Sequence, residues 1–140
     1  MEILYKATAV TEGGGDGRVR SSDNRIDMKL STPKEMGGQG GDGTNPEQLF
    51  SAGYSACLSS AIGFVARQEK LSLKSMAVQV ETGIGPNGKG GFIFSLVIDV
   101  TLGGLSQAKA EELVKKAHLV CPFSNSTAGN VKLQERVLVK

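Results

Sequence analysis

Two cysteines carry the chemical promise of this 140-residue chain. Cys57 lies inside the apolar run Pro46-Glu47-Gln48-Leu49-Phe50-Ser51-Ala52-Gly53-Tyr54-Ser55-Ala56-Cys57-Leu58. Cys121 opens the polar run Cys121-Pro122-Phe123-Ser124-Asn125-Ser126-Thr127-Ala128-Gly129-Asn130. A fold that joins them makes a reversible dithiol/disulfide couple. Otherwise they are two unrelated thiols acting as small hydrophobes. A thiol in an apolar helix stays protonated, because burial disfavours the thiolate. Reaction near neutral pH therefore requires a cation. Arginine suits the task, since it stays charged and presents a planar fork. A buried arginine in turn requires a carboxylate. Glu47 precedes Cys57 by ten residues on the same expected helix, offset from it by about 80°. Arg18, beside a glycine turn, is a candidate cation, and so are Arg20, Arg25 and Arg67. Spacing does not choose among them.

Composition limits the alternatives. The length suits one domain spanning residues 1–140, with enough chain to bury a core without staples. Hydrophobic content of 39% and charged content of 21% exclude a disordered chain. A net charge of +2 is too small to grip nucleic acid electrostatically, and without Trp there is no stacking platform for single strands. The N-terminus has no apolar leader run. The apolar stretch from Leu49 to Ala66 is interrupted by serines and glycines, which argues against a membrane span. The expectation is a cytoplasmic protein, and in a reducing compartment a transient catalytic disulfide is more reasonable than a structural one.

The elements that must position the thiols follow from patterning. Ile3 to Val10 reads as a strand, Gly13 to Gly17 as a turn, and Arg18 to Ser21 as the return strand. Arg25 to Leu30 alternates, with Ile26, Met28 and Leu30 on one face, completing a meander. Thr32 to Gly43 holds Pro33 and five glycines and reads as a mobile loop. Asn45 can cap a helix, Pro46 suits its first position, and Gln48 can close a capping box. That helix runs to about Lys70 and is apolar or small nearly all round, so it needs cover on most sides and a second subunit to supply some of it. Ser75 to Ile84 and Phe92 to Leu102 are strands around a glycine-rich turn. Ser106 caps a second helix, Gln107 to Leu119, and Val131 to Val139 is a last strand. The order βββ-α-ββ-α-β gives an α+β fold.

Other motifs carry less. Gly38-Gln39-Gly40-Gly41-Asp42-Gly43 spells a dinucleotide fingerprint but lacks the βαβ context. One histidine and two distant cysteines do not make a metal site. His118 reads as a residue favouring a helix C-terminus, with no marked partner for a Ser/His/Asp arrangement.

The two cysteine runs, together with Gly15-Asp16-Gly17-Arg18, resemble the motifs of the organic hydroperoxide resistance proteins, the Ohr branch of the bacterial OsmC/Ohr family. The resemblance covers essentially the whole chain. It implies an intertwined homodimer with a buried central helix. It also implies a thiol peroxidase without metal or other cofactor, in which Cys57 is peroxidatic and Cys121 resolving. Arg18 would activate the thiolate and Glu47 would fix that arginine. The implied substrates are alkyl and fatty-acid hydroperoxides, and the implied reductant is a lipoylated protein or dihydrolipoamide. Tyr54, Leu58, Met28, Phe92 and Phe94 are possible pocket residues. Alternatives within this reading are another OsmC-family branch with a broader peroxide range, or a redox sensor without turnover. Phe123 and Ala128 stand where the family more usually has Tyr and Arg, a difference that bears on local packing or partner docking.

Overall fold

In the computed structural model, which describes residues 1–140, the chain is α+β with two three-stranded sheets. It divides into two compact units, Met1–Leu49 and Phe50–Lys140.

The first unit is a meander of β1 (Ala9–Glu12), β2 (Arg18–Ser21) and β3 (Asp27–Lys29), all antiparallel. The first strand is shorter than the patterning of Ile3 to Val10 predicts. Residues before Ala9 pair with no other strand, and Leu4 and Tyr5 lie almost fully exposed. β-Propensity reports fit to a half-buried surface, and here that surface is missing. The β1–β2 turn depends on Gly17, where a Cβ would stand 1.8 Å from the Glu12 carbonyl oxygen. The next residue is Arg18, so this turn sets where the guanidinium starts. The loop after β3 contains one 3-10 turn, Lys34–Met36.

Helix α1 (Pro46–Gln68) starts where the sequence predicts. Asn45 Oδ1 accepts from the Gln48 N–H at 2.9 Å. The Gln48 side chain does not close the expected capping box but accepts from the Thr44 hydroxyl at 2.8 Å. By length and composition α1 is long and apolar enough to cross a bilayer, contrary to the expectation from its interruptions. Serine and glycine lower mean hydropathy only slightly, and the charges Glu47 and Arg67 sit at its ends. Only one stripe of α1 is buried, Tyr54, Leu58, Ala61, Ile62, Val65 and Ala66, while Ala52, Ala56 and Phe64 are exposed. The expected burial on most sides is therefore not reached within one chain.

In the second unit, β4 (Ser75–Pro86) and β5 (Phe92–Gly103) form a long antiparallel pair. Alternate residues of β5, Leu96, Ile98, Val100 and Leu102, turn inward and are fully buried. They meet the α1 stripe and the inner face of α2 (Gln107–Val120), made of Ala110, Leu113, Val114 and Ala117. Ser106 caps α2 as predicted, accepting from the Lys109 N–H. β6 (Lys132–Val139) then lies parallel to β5. Parallel neighbours need a helical crossover, and α2 supplies it. The register is pinned by a bidentate pair directly across the ladder, from Arg136 Nε and Nη2 to the two Asp99 carboxylate oxygens at 2.7 and 2.6 Å. The sequence reading missed one element, the short helix α3 (Pro122–Thr127).

Replacing Gly17 with Ala should open the β1–β2 turn, because backbone and not a flexible side chain blocks the methyl group. The expected result is a melting temperature lowered by several degrees, equivalent to about 1–3 kcal/mol. An unchanged melting curve would contradict the close approach.

Candidate active site

The two sulfurs meet in the second unit. Both thiols are free, and Cys121 Sγ lies 3.2 Å from Cys57 Sγ. Closing a disulfide needs an approach to about 2.05 Å, a shift of roughly 1 Å. Local sequence explains how a residue 64 positions away arrives there. Pro122 disfavours helical geometry at Cys121, which takes φ −70° and ψ 118°. α2 must end, and Pro122, with no N–H to lose, opens α3. Cys121 sits at the corner, fully buried, while Cys57 remains partly accessible.

Aromatic packing seats α3 on α1. Phe123 stacks within 5.5 Å of Tyr54 and 5.7 Å of Phe50, centroid to centroid. Its ring also lies over Gly53, where a Cβ would come within 3.0 Å of Phe123 Cζ. The environment of Phe123 is thus ring packing against α1, which asks nothing of a phenol hydroxyl.

A polar chain adds to the seating. The Tyr54 hydroxyl donates to Ser124 Oγ at 3.1 Å, and Ser124 Oγ bonds His118 Nδ1 at 2.7 Å. His118 Nε2 bonds the Glu135 carboxylate. The expectation that His118 lacks a marked partner is therefore wrong. Its partners stand six and seventeen residues on, one on α3 and one on β6, and no sequence motif announces such spacing. Ser124 is buried, and its oxygen already accepts from Tyr54, so the chain serves to fix α3 between α1, α2 and β6.

Electrostatics in this unit oppose thiolate formation. Burial pushes the Cys57 pKa up; the Phe123 N–H bonds the sulfur and pulls it down; the neighbouring Cys121 thiol pushes it up again, and the net shift is upward. No cation is among the groups that shift Cys57, and the arginines expected to supply one are placed as follows. Arg18 Nε bonds Asp27 Oδ1 at 2.6 Å, and the exchange raises the arginine pKa and lowers that of the carboxylate. Arg18 thus has a carboxylate, but it is Asp27 on the neighbouring strand and not Glu47. Glu47, half-buried in the first turn of α1, forms no ion pair. Arg20 faces Glu12 and Arg25 faces Asp23. Arg67 forms neither ion pair nor hydrogen bond, and it lines a recess of about 350 Å³ together with Cys57, Ser60, Phe64, Val120 and Pro122.

The expected pocket residues scatter. Leu58 is wholly within the core. Tyr54 is buried and lines a second recess with His118 and Ser124. Phe94 packs on Phe50 at 5.0 Å. Phe92 is exposed at the start of β5, and Met28 is exposed on β3 of the first unit. Phe64, Val120 and Pro122, which do surround the Cys57 opening, were missed. Phe64 is recoverable from sequence, since seven residues is two helical turns from Cys57.

Comparison with known proteins bears on this site. The profile of the OsmC-like protein family matches residues 38–136. An organic hydroperoxide resistance protein of Xanthomonas axonopodis pv. citri is 49% identical over 93% of this chain and 92% of its own. The chain belongs to the OsmC/Ohr family, in its organic hydroperoxide resistance branch. The crystal structure of such a protein from Legionella pneumophila superposes with a TM-score of 0.94 at 42% identity, covering 99% of this chain and all of that one. A Vibrio cholerae structure described as a resistance protein of this kind, with captopril bound in one of its active sites, gives 0.91 at 45% identity over 98% and 94% of the two chains. The expected α+β order, βββ-α-ββ-α-β, agrees with the fold of those structures.

Replacing Ser124 with Ala should leave His118 Nδ1 without its buried partner and loosen α3. The expected cost is about 1–3 kcal/mol, read as a melting temperature lower by several degrees. Equal melting of the variant and the parent would show that the polar chain does not hold α3.

Proposed function

We propose that this protein is a thiol peroxidase that reduces organic hydroperoxides to alcohols. The observation that carries the reading is the 3.2 Å approach of two reduced sulfurs, one buried and one opening on an apolar recess. The relatives named for organic hydroperoxide resistance support the substrate class. The captopril held by the Vibrio cholerae relative supports a cavity that admits a small organic molecule.

The Cys57 thiolate attacks one peroxide oxygen, the O–O bond breaks, and the alkoxide leaves and takes a proton as the alcohol. Cys57 becomes a sulfenic acid. The Cys121 sulfur attacks it, water leaves, and a disulfide forms before further oxidation. A dithiol then regenerates both thiols by two exchange steps and is itself oxidised to a disulfide. We assign that step to a lipoyl group, free as dihydrolipoamide or carried on a protein. Turnover requires a compartment in which such dithiols stay reduced, which favours the cytoplasm.

Arg18 is the proposed activating cation and Glu47 its anchor. To act so, Arg18 exchanges the exposed Asp27 pair for Glu47. That pair is exposed and screened by solvent, so giving it up costs little. The alternative cation, Arg67, predicts a different outcome for the same variants.

A second copy of the chain is also proposed. Leu4 and Tyr5 at the N-terminus and the exposed small residues Ala52 and Ala56 on α1 are apolar surface without cover in one chain. Sedimentation equilibrium should return twice the chain mass; a monomer at micromolar concentration would exclude the homodimer.

Kinetics test the reading. With dihydrolipoamide present, cumene or lipid hydroperoxide should be consumed steadily and faster than hydrogen peroxide. Equal rates would favour a branch with broader range, and a single stoichiometric burst would favour a sensor. Cys57→Ser should abolish consumption. Cys121→Ser should complete a first turnover and then accumulate sulfinic acid. Arg18→Ala should lose about 10²-fold or more in rate near neutral pH. Its pH–rate profile should move alkaline, because the thiol reverts to the raised pKa of its apolar surroundings. An unchanged rate and profile would remove Arg18 from the mechanism.

A further inference from the structure

The polar chain from Tyr54 to Glu135 is built around both cysteines. Tyr54 stands three residues before Cys57 on α1, His118 three before Cys121 in the last turn of α2, and Ser124 three after Cys121 on α3. Residues three apart on a helix are neighbours on its surface. Two side-chain staples close the corner at Cys121. Asn125 Nδ2 donates to the Leu119 carbonyl at 3.1 Å, and Ser124 Oγ bonds His118 Nδ1 at 2.7 Å, so each spans the cysteine. The second staple continues to the helix of Cys57, through the Tyr54 hydroxyl at 3.1 Å, and the first does not. Ser124 is buried, and the side chains of His118 and Glu135 are only 21% and 24% exposed. Because Tyr54 donates to Ser124, the serine proton is directed at Nδ1. The imidazole proton then sits on Nε2, against the Glu135 carboxylate.

We propose that His118 is a positioning residue for disulfide closure: through Ser124 and Tyr54 it holds Cys121 to the helix of Cys57, and Glu135 fixes its ring. The step it serves is condensation of the Cys121 thiol with the Cys57 sulfenic acid. The S–S bond forms, the S–O bond breaks, and the thiol proton leaves with the hydroxyl group as water. A second peroxide molecule competes for the same sulfenic acid. A partner held in place competes through its effective concentration, which a misplacement of about 1 Å can lower about a hundredfold. His118 therefore governs whether Cys57 is resolved or over-oxidised, and takes no part in the first attack on peroxide. The inference rests on the peroxidase reading above and adds to it the residue that sets the resolving step.

Two measurements on the full chain test it, each well below the melting temperature of every variant. In the first, the protein turns over cumene hydroperoxide with dihydrolipoamide, and mass spectrometry gives the peroxide concentration at which half of Cys57 becomes sulfinic acid. In the second, without peroxide, equilibration with reduced and oxidised glutathione gives the effective concentration of one thiol towards the other. His118→Leu should lower both quantities about tenfold or more, with the rate of the first peroxide attack unchanged. His118→Asn places an amide oxygen near the Nδ1 position and should recover most of the loss. Glu135→Gln, a milder change at the far end of the chain, should show a smaller loss of the same kind. Asn125→Ala cuts only the other staple and should stay near the parent. Both quantities unchanged in His118→Leu and Glu135→Gln would overturn the inference. So would a loss as large in His118→Asn or Asn125→Ala as in His118→Leu, since general loosening of the corner would then be the cause. A parent that consumes no hydroperoxide removes the peroxidase reading, and the glutathione measurement still decides whether His118 positions the thiols.

Discussion

The approach of Cys57 to Cys121 is the constraint around which the second unit is arranged. Cys57 is fixed by an α-helix whose buried stripe, beside it, fills the core, and Cys121 by the corner between α2 and α3. A single residue type makes that corner, since Pro122 denies Cys121 a helical backbone and then opens the next helix. The ring stack of Phe50, Tyr54 and Phe123 and the chain from Tyr54 through Ser124 and His118 to Glu135 then keep α3 against its neighbours. Sulfurs held about 1 Å short of a bond can close it with little backbone motion, which is the geometry that the proposed resolution of a Cys57 sulfenic acid needs.

That same packing creates the electrostatic difficulty. A site dry enough to hold a hydrocarbon is dry enough to keep a thiol neutral, and burial is the largest influence on Cys57. The proposed chemistry therefore calls for an imported positive charge. Among the arginines, Arg18 comes with an exposed carboxylate it can release at little cost, and Arg67 comes with none.

Much of this was legible in the chain. Asn45 and Pro46 announced the start of α1, Ser106 that of α2, and the alternation of β5 its buried face, because each is a local rule with a local cause. The N-terminal strand was overread, since propensity does not say whether a neighbour exists to pair with Leu4 and Tyr5. α3 was missed because six residues of Pro, Ser, Asn and Thr have no helical period to detect. The cysteine pair was recognisable only through its resemblance to a family. Nothing in the spacing of 64 residues implies contact, whereas the proline after Cys121 gives its physical cause once seen. The pairing of Arg18 with Asp27 was not legible for a similar reason, as pairing across strands depends on register, which places Asp27 diagonal to Arg18.

Mass spectrometry of the reduced protein after one equivalent of tert-butyl hydroperoxide tests the central claim most directly. The account predicts a single intrachain link between the peptides carrying Cys57 and Cys121, formed stoichiometrically with tert-butanol. Sulfinic acid accumulating on Cys57 while Cys121 stays free, or peroxide left unconsumed, would contradict it.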